Sequence, residues 1–498
     1  MTASFQPWRR GKTVRPKLEF LDSDLIERVL EEAFELMVKP GIKVSSEEAR
    51  TLLAEAGAQV NFETEVAVIP EEVARKAMAT VPSEFYLYDR LGNPTVHYGG
   101  DSVHYDPGSS GVNIFDAETL EHRPAVTADL VNVIKIAEQL PQYDAQSTSL
   151  VCSEIPKEIG DLYRLYLVLL YSIKPIVTGA FSTETTDVMV EMLGIMAGGR
   201  QALKEKPSAV FDVCPSPPLI WSHFGAQNLI DLARAWVPAE IVSMPLAGVA
   251  APVTLIGSVV QHAAECISGI TIHQLANPGA PIVWGGAPAI MDMRQGTTPM
   301  GAIETAMIDA SYSQVGKYLG FPTHSYMGAS DSKLIDAQAG LESGMTALVG
   351  ALAGINMISG AGMLDFLAAQ SLEKLVIDAE AIGMSKRLVE GIKLHTETLA
   401  TAMFEGINFK GEFLKQRVTR QLITEEQYLP SPVIDRGSIR TWKQSGEKDT
   451  VARARERVKE LLNGYQPPEI DAGQVNELKS LVSKLAADAG MAQLPIPD

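Results

Sequence analysis

Residues Pro322 to Glu342 read PTHSYMGASDSKLIDAQAGLE: a short β-like run, a polar loop containing glycine, then a helix of small residues. The loop carries Asp331, Lys333 and Asp336. In a barrel of parallel strands the loop after each strand faces the active site, so chemistry is expected at this cluster of charges.

The same rhythm extends outward in both directions. From Ala128 apolar β-branched runs alternate with helical stretches: Ala145 to Cys152, Pro175 to Phe181, Ala209 to Pro215, Glu240 to Leu246, Pro281 to Gly285, Thr323 to Met327 and Ile355 to Ser359. Strands buried on both faces should be apolar throughout, and VFDVCP, IVSMPL, IVWGG and INMISG mostly are. An open doubly wound sheet would carry a glycine fingerprint after its first strand, and none is visible. Alternation of this kind predicts an α/β fold built as a (β/α)8 barrel of the TIM type over residues 126–378. The eighth strand comes either from the segment before residue 125 or from beyond Leu372.

Residues 1–125 read as an N-terminal α+β cap. Amphipathic helices are predicted over Asp22 to Leu36 and Ser46 to Ala56, each opened by a capping Asp or Ser, with a third beginning at Pro70. Short alternating runs at Glu84 to Tyr88, Val96 to Tyr98, Val103 to Tyr105 and Val112 to Phe115 suggest a β-meander. The glycine-rich stretch HYDPGSSGVNIF (His104 to Phe115) reads as a tight turn, since no Lys-Ser/Thr follows to make a phosphate cradle. Residues 379–498 read as a helical, charged extension.

Composition excludes several functions. The chain has 498 residues, 46% hydrophobic and 21% charged, with net charge −19, which argues against nucleic acid or an anionic membrane as partner. Cys152, Cys214 and Cys266 are widely spaced, so neither a disulfide framework nor a zinc knuckle is indicated, and a reducing cytoplasm fits. No export signal or membrane span is expected. The arm Arg9, Arg10, Lys12, Arg15 and Lys17 would either fray or pack on a neighbouring subunit of a homo-oligomer.

The opening segment, GGAPAIMDMRQGTTPMGAIE (Gly285 to Glu304) and SLEKLVIDAEAIGM (Ser371 to Met384) together resemble the trimethylamine methyltransferase family. The resemblance runs from about Leu21 to Met384. It implies a barrel enzyme that moves a methyl group from an amine to a corrinoid (cobalamin) protein, the corrinoid riding on a separate partner. Some members carry pyrrolysine near what are residues 330 to 340 here, where this chain has only ordinary residues. Members without it resemble demethylases of quaternary amines such as glycine betaine, so a quaternary ammonium substrate is implied.

Such a reaction needs no general base and no metal or nucleotide bound by this chain. No H-x-H, H-E-x-x-H or clustered Cys/His set is present. A quaternary cation is recognised by aromatic faces. Rings gather at predicted strand ends: Phe181, Trp221, His223, Trp284, His324 and Tyr326 are the expected binding residues, with core packing as the alternative for Phe181. Arg294 is nominated to grip a substrate carboxylate, against an ion pair with Asp292 or Glu304. Asp331 and Lys333 are expected to do the chemistry or to fix the loop. A non-catalytic betaine-binding protein is the alternative. A Schiff-base lyase using Lys333 ranks lower, because nearby carboxylates would raise the lysine pKa.

Overall fold

Eight parallel strands stand side by side in the computed structural model, which describes residues 14–395, 399–406 and 409–495. They are β1 (His104–Pro107), β2 (Gln146–Ser147), β3 (Ile176–Thr178), β4 (Ala209–Val213), β5 (Ala239–Ser243), β6 (Ile282–Gly286), β7 (Thr323–Ser325) and β8 (Met357–Ala361). Every adjacent pair from β2 round to β8 and on to β1 is parallel. The seam closes where Asp144 N, just before β2, donates to Tyr105 O of β1 at 2.8 Å. A helix follows each strand: α1 (Thr127–Gln139), α2 (Gly160–Tyr171), α3 (Thr183–Ala197), α4 (His223–Ala235), α5 (Leu255–Ala276), α6 (Ile303–Tyr318), α7 (Ala337–Ala353) and α8 (Leu372–Val389). Helix α5 is long and apolar enough to cross a membrane, but 83% of that span is buried in the fold.

All seven predicted barrel strands are present, and the eighth comes from the N-terminal side. Strand β1 lies within residues 1–125, so the barrel begins before the 125/126 boundary. The 378/379 boundary falls inside α8, whose helical periodicity continues without a break. The expected meander is corrected in the same way. Phe85–Tyr88 and Pro94–Tyr98 do form a hairpin, but the third run is β1 and the fourth, Asn113–Asp116, pairs with Glu121–Pro124. A run of alternating residues does not encode its partner; the parallel sheet gains the third run because both faces of it can be buried there.

The hairpin closes the N-terminal end of the barrel. Leu87, Val96 and Tyr98 pack with Ala145, Val177, Val210, Val283 and Met357, the inward residues of the strands' first halves. The only wide approach to the interior is therefore expected at the opposite end, where the βα loops lie. The predicted N-terminal helices form with their caps: Asp22 accepts from Leu25 N and Ser46 from Ala49 N. In the extension, helix Thr450–Gly464 buries Ala454, Val458 and Leu461 against α8 and α1, and helix Ala472–Asp488 buries Leu478, Val482 and Ala486 against α2 and α3. Arg9, Arg10 and Lys12 lie outside the described residues; Arg15 and Lys17 pair with Asp101 of the same chain.

Candidate active site

Two adjacent glycines in IVWGG organise the barrel interior. Gly285 faces inward, and a Cβ there would lie 3.0 Å from His324 Nδ1, so the missing side chain lets His324 of β7 reach across β6 toward β5. His324 Nδ1 lies 3.1 Å from Glu240 Oε1, both fully buried. On its other side His324 Nε2 is 3.0 Å from Ser359 Oγ, which donates to Asp106 Oδ1 at 2.5 Å. Tyr98 of the hairpin donates to Glu240 Oε2 at 3.1 Å. A chain of polar groups thus crosses the interior from β5 through β7 and β8 to β1.

Burial sets the protonation along it. It pushes Glu240 and Asp106 well above the usual carboxylate range and His324 down to about 3. Burial thus disfavours the charged form of both groups, and Glu240 is pushed up further by the negative charge of Asp212. Asp212 of β4 is different. Tyr326 donates to its Oδ2 at 2.8 Å, and burial raises it only to about 6, opposed by the neighbouring Glu240 carboxyl, by Tyr326 and by the positive charge of Arg164. Asp212 Oδ1, Asp106 Oδ2, Glu240 Oε1 and His324 Nδ1 are all buried without a hydrogen-bond partner among the described residues. Buried carboxyl oxygens left in this way are costly, which marks them as built for something that arrives.

An apolar wall stands beside them. Tyr326 packs in one cluster with Val242, Ala287, Ala289 and Met300, with Leu246 and Leu367 against it. Leu367 belongs to the loop after β8, where Asp365, Phe366 and Leu367 have φ of 50°, 56° and 69°. Three successive left-handed residues without a glycine are costly, about 1–2 kcal/mol each, and such strain concentrates at functional sites. The turn is held by Asp365 N donating to Ser332 O, by Lys333 lying 3.6 Å from Asp365, and by Lys333 Nζ 3.8 Å from the Phe366 ring centroid.

The predicted site residues divide into two groups. His324 and Tyr326 are brought together inside the barrel, their rings 5.0 Å apart and edge-on. Phe181 stands half-exposed at the end of β3 with its ring 4.5 Å from the Arg164 guanidinium. The remaining rings are elsewhere. Trp284 is one residue out of phase with Gly285, so it points away from the interior into the helices, donating to Tyr312 O and pressing on Gly316. Trp221 extends the N-terminal sheet beside Val44, and its indole donates to Ser268 of α5. Both tryptophans are fully buried. His223 is exposed in the first turn of α4. Arg294 has a side chain 85% exposed and pairs with Asp292 at 2.6 Å, the alternative the sequence left open.

Asp331 latches loops together, accepting from the backbone N–H of Met300 and Gly301 at 2.8 and 3.0 Å. Burial and neighbouring Glu342 raise it to about 6. Lys333 donates to Asp331 O and is half-exposed, far from the apolar surroundings a Schiff-base lysine needs. Asp336 caps α7, accepting from Ala339 N. Sequence reasoning missed Asp106, Glu240 and Arg164 as site residues, and Asp212, which lies within a predicted strand, was given no chemistry. The available signal was a charged residue inside an otherwise apolar run, as in AEIVS and GDLYRLYLVLLY.

The family model for trimethylamine methyltransferase matches residues 2–490. The trimethylamine methyltransferase of Desulfitobacterium hafniense (strain DSM 10664 / DCB-2) is 30% identical over 460 residues, 92% of this chain and 92% of that protein. The glycine betaine methyltransferase of Desulfitobacterium hafniense (strain Y51) is 29% identical over 477 residues, 95% of this chain and 98% of that one. The crystal structure of the Methanosarcina barkeri monomethylamine methyltransferase superposes with a TM-score of 0.54 at 12% identity, covering 96% of this chain and 90% of that one, a likeness of fold.

Proposed function

This chain belongs to the trimethylamine methyltransferase family and is a methyltransferase, and we propose that it moves a methyl group from a quaternary ammonium of the glycine betaine type to the Co(I) corrinoid of a partner protein. The observation that carries this reading is the pair of unpartnered carboxyl oxygens, Asp106 Oδ2 and Asp212 Oδ1, beside the apolar wall around Tyr326. The Asp212 carboxylate next to apolar surface suits a cation clothed in methyl groups, with the Asp106 carboxyl, held well above the usual carboxylate range by burial, as a polar neighbour. Preference for a quaternary nitrogen is supported by the ordinary residues at 330 to 340, and a glycine betaine methyltransferase is among the similar proteins.

The cobalt electron pair forms the Co–C bond as the C–N pair withdraws to nitrogen, so the amine leaves neutral and no base is required. Positive charge on nitrogen disappears in that step, so Asp212 and the aromatic faces hold the ground state more tightly than the transition state. Rate must come from alignment. Tyr326, pinned to Asp212, and the wall of Val242, Ala287 and Leu367 hold the cation so that one methyl faces the mouth. Around that mouth Val112, Val249, Val253 and Met293 are exposed by 52%, 60%, 78% and 81%, an apolar rim suited to a partner protein presenting its corrin face.

Free Co(I) cobalamin, standing in for the partner's corrinoid, tests the reading. The protein is offered glycine betaine, choline and trimethylamine in turn, and the absorbance change to methyl-Co(III) is followed. Methylation from glycine betaine and not from trimethylamine is expected; methylation from trimethylamine alone would overturn the quaternary assignment.

A further inference from the structure

Arg164 places a buried cation at the same end of the barrel as the carboxylates. It projects from the second turn of α2, is fully buried, and its Nη1 donates to Thr148 O after β2 at 2.9 Å and to Ser110 Oγ after β1 at 3.0 Å. Its Nε is buried with no acceptor among the described residues. The Phe181 ring covers the guanidinium face, and Phe181 is itself anchored by its N–H donating to Asp161 Oδ2.

This geometry is not that of a surface arginine. A guanidinium stacked under a ring keeps its donors in the plane of the stack, where they match the two oxygens of a carboxylate. Buried Asp161 is the first negative charge it feels, and Tyr326 and Asp212 also feel its charge, so it shares their interior. One end of the site thus presents a guanidinium with an unused donor and the other presents carboxyl oxygens with unused acceptors. A ligand with one polar group satisfies one end and leaves the unused donor or acceptors of the other buried, which is costly. A ligand with separated charges satisfies both.

Resting on the function proposed above, we infer that Arg164 binds the carboxylate of a zwitterionic substrate, Phe181 holding the guanidinium in plane, and that this contact selects betaines over methylated amines without an acid group. The assignment replaces Arg294, whose exposed guanidinium is paired with Asp292.

Calorimetric titration of the full chain with glycine betaine, choline and tetramethylammonium tests it, comparing wild type with Arg164→Gln and Arg164→Lys. Wild type should bind glycine betaine about 10- to 100-fold tighter than the other two, the range for hydrogen bonds to a charged group. Arg164→Gln should lose that advantage while tetramethylammonium affinity stays within about twofold, and Arg164→Lys should recover only part, because a lysine offers no planar fork. Equal weakening of all three ligands, or none, in a folded Arg164→Gln would overturn the inference. Should Arg164→Gln not fold, the wild-type panel decides alone: choline or tetramethylammonium bound as tightly as glycine betaine overturns the carboxylate assignment and leaves the methyl-transfer reading standing. No binding of any of the three would instead overturn that reading, and this inference with it.

Discussion

Asp212 is the residue whose ionisation should govern ligand binding. Its folded pKa of about 6 lies above the ordinary 3.8 because burial penalises the carboxylate. The folded protein therefore holds that proton more tightly than the unfolded chain, and Asp212 lowers stability as pH rises from about 4 to about 6. A methylated ammonium beside it favours the charged form, so the sign for binding is opposite. Affinity for glycine betaine should rise about tenfold per pH unit up to about pH 6 and then level off, the behaviour of one linked proton. Burial also pushes Glu240 and Asp106 well above the usual carboxylate range, and Arg164, lowered only to about 10, stays charged. Calorimetry across pH 4.5 to 8 with Asp212→Asn as control checks this; an unchanged pH profile in the variant would remove Asp212 from the site. Trp284 and Trp221 lead to the opposite expectation. Each is buried among helices, so truncation to alanine should destabilise by about 3–5 kcal/mol in denaturant unfolding. Ligand affinity per folded molecule should be unaffected.

At the scale of elements, the loops after β6, β7 and β8 behave as one unit. Asp331 ties the first two, while Ser332 O and Lys333 tie the second to the left-handed turn at Asp365 to Leu367. Asp331→Ala leaves two backbone N–H groups without their acceptor, which should cost about 2–4 kcal/mol and loosen the mouth to proteolysis. Loss of turnover with an unchanged melting temperature would instead make Asp331 a catalytic group. Legibility in the sequence follows the same elements. Seven strands were readable because both faces are buried and the runs are apolar; β1, HYDP, was read as a β run of the meander and its segment offered as one source of the eighth strand, but a short run set apart from the βα rhythm does not encode that its partner is β8. His324 and Tyr326 were readable as site residues because THSYM puts both at the same phase of one strand. Trp284 was misread because nearness to a strand end does not fix which face a side chain takes, and one residue of phase separates it from Gly285. Arg164 stood out only as a charge in an apolar run, since its role depends on three loops that meet only in the closed barrel.

At the scale of the molecule, the hairpin closes one end of the barrel and the polar chain crosses its middle, so amine and corrinoid must use the same mouth. In the proposed function the amine would sit beneath and the partner would dock on the rim above it, which makes the floor of the mouth, and not the tryptophans, the place to test for methyl transfer. The most direct measurement is the initial rate of methyl-Co(III) formation from glycine betaine by wild type, Asp212→Asn and Trp284→Phe at pH 7.5. The rate for Asp212→Asn should fall by about 10- to 100-fold in kcat/KM, the effect of removing a charged contact, while folded Trp284→Phe stays near wild type. A full rate in Asp212→Asn, or a selective loss in Trp284→Phe, would contradict the barrel-interior site.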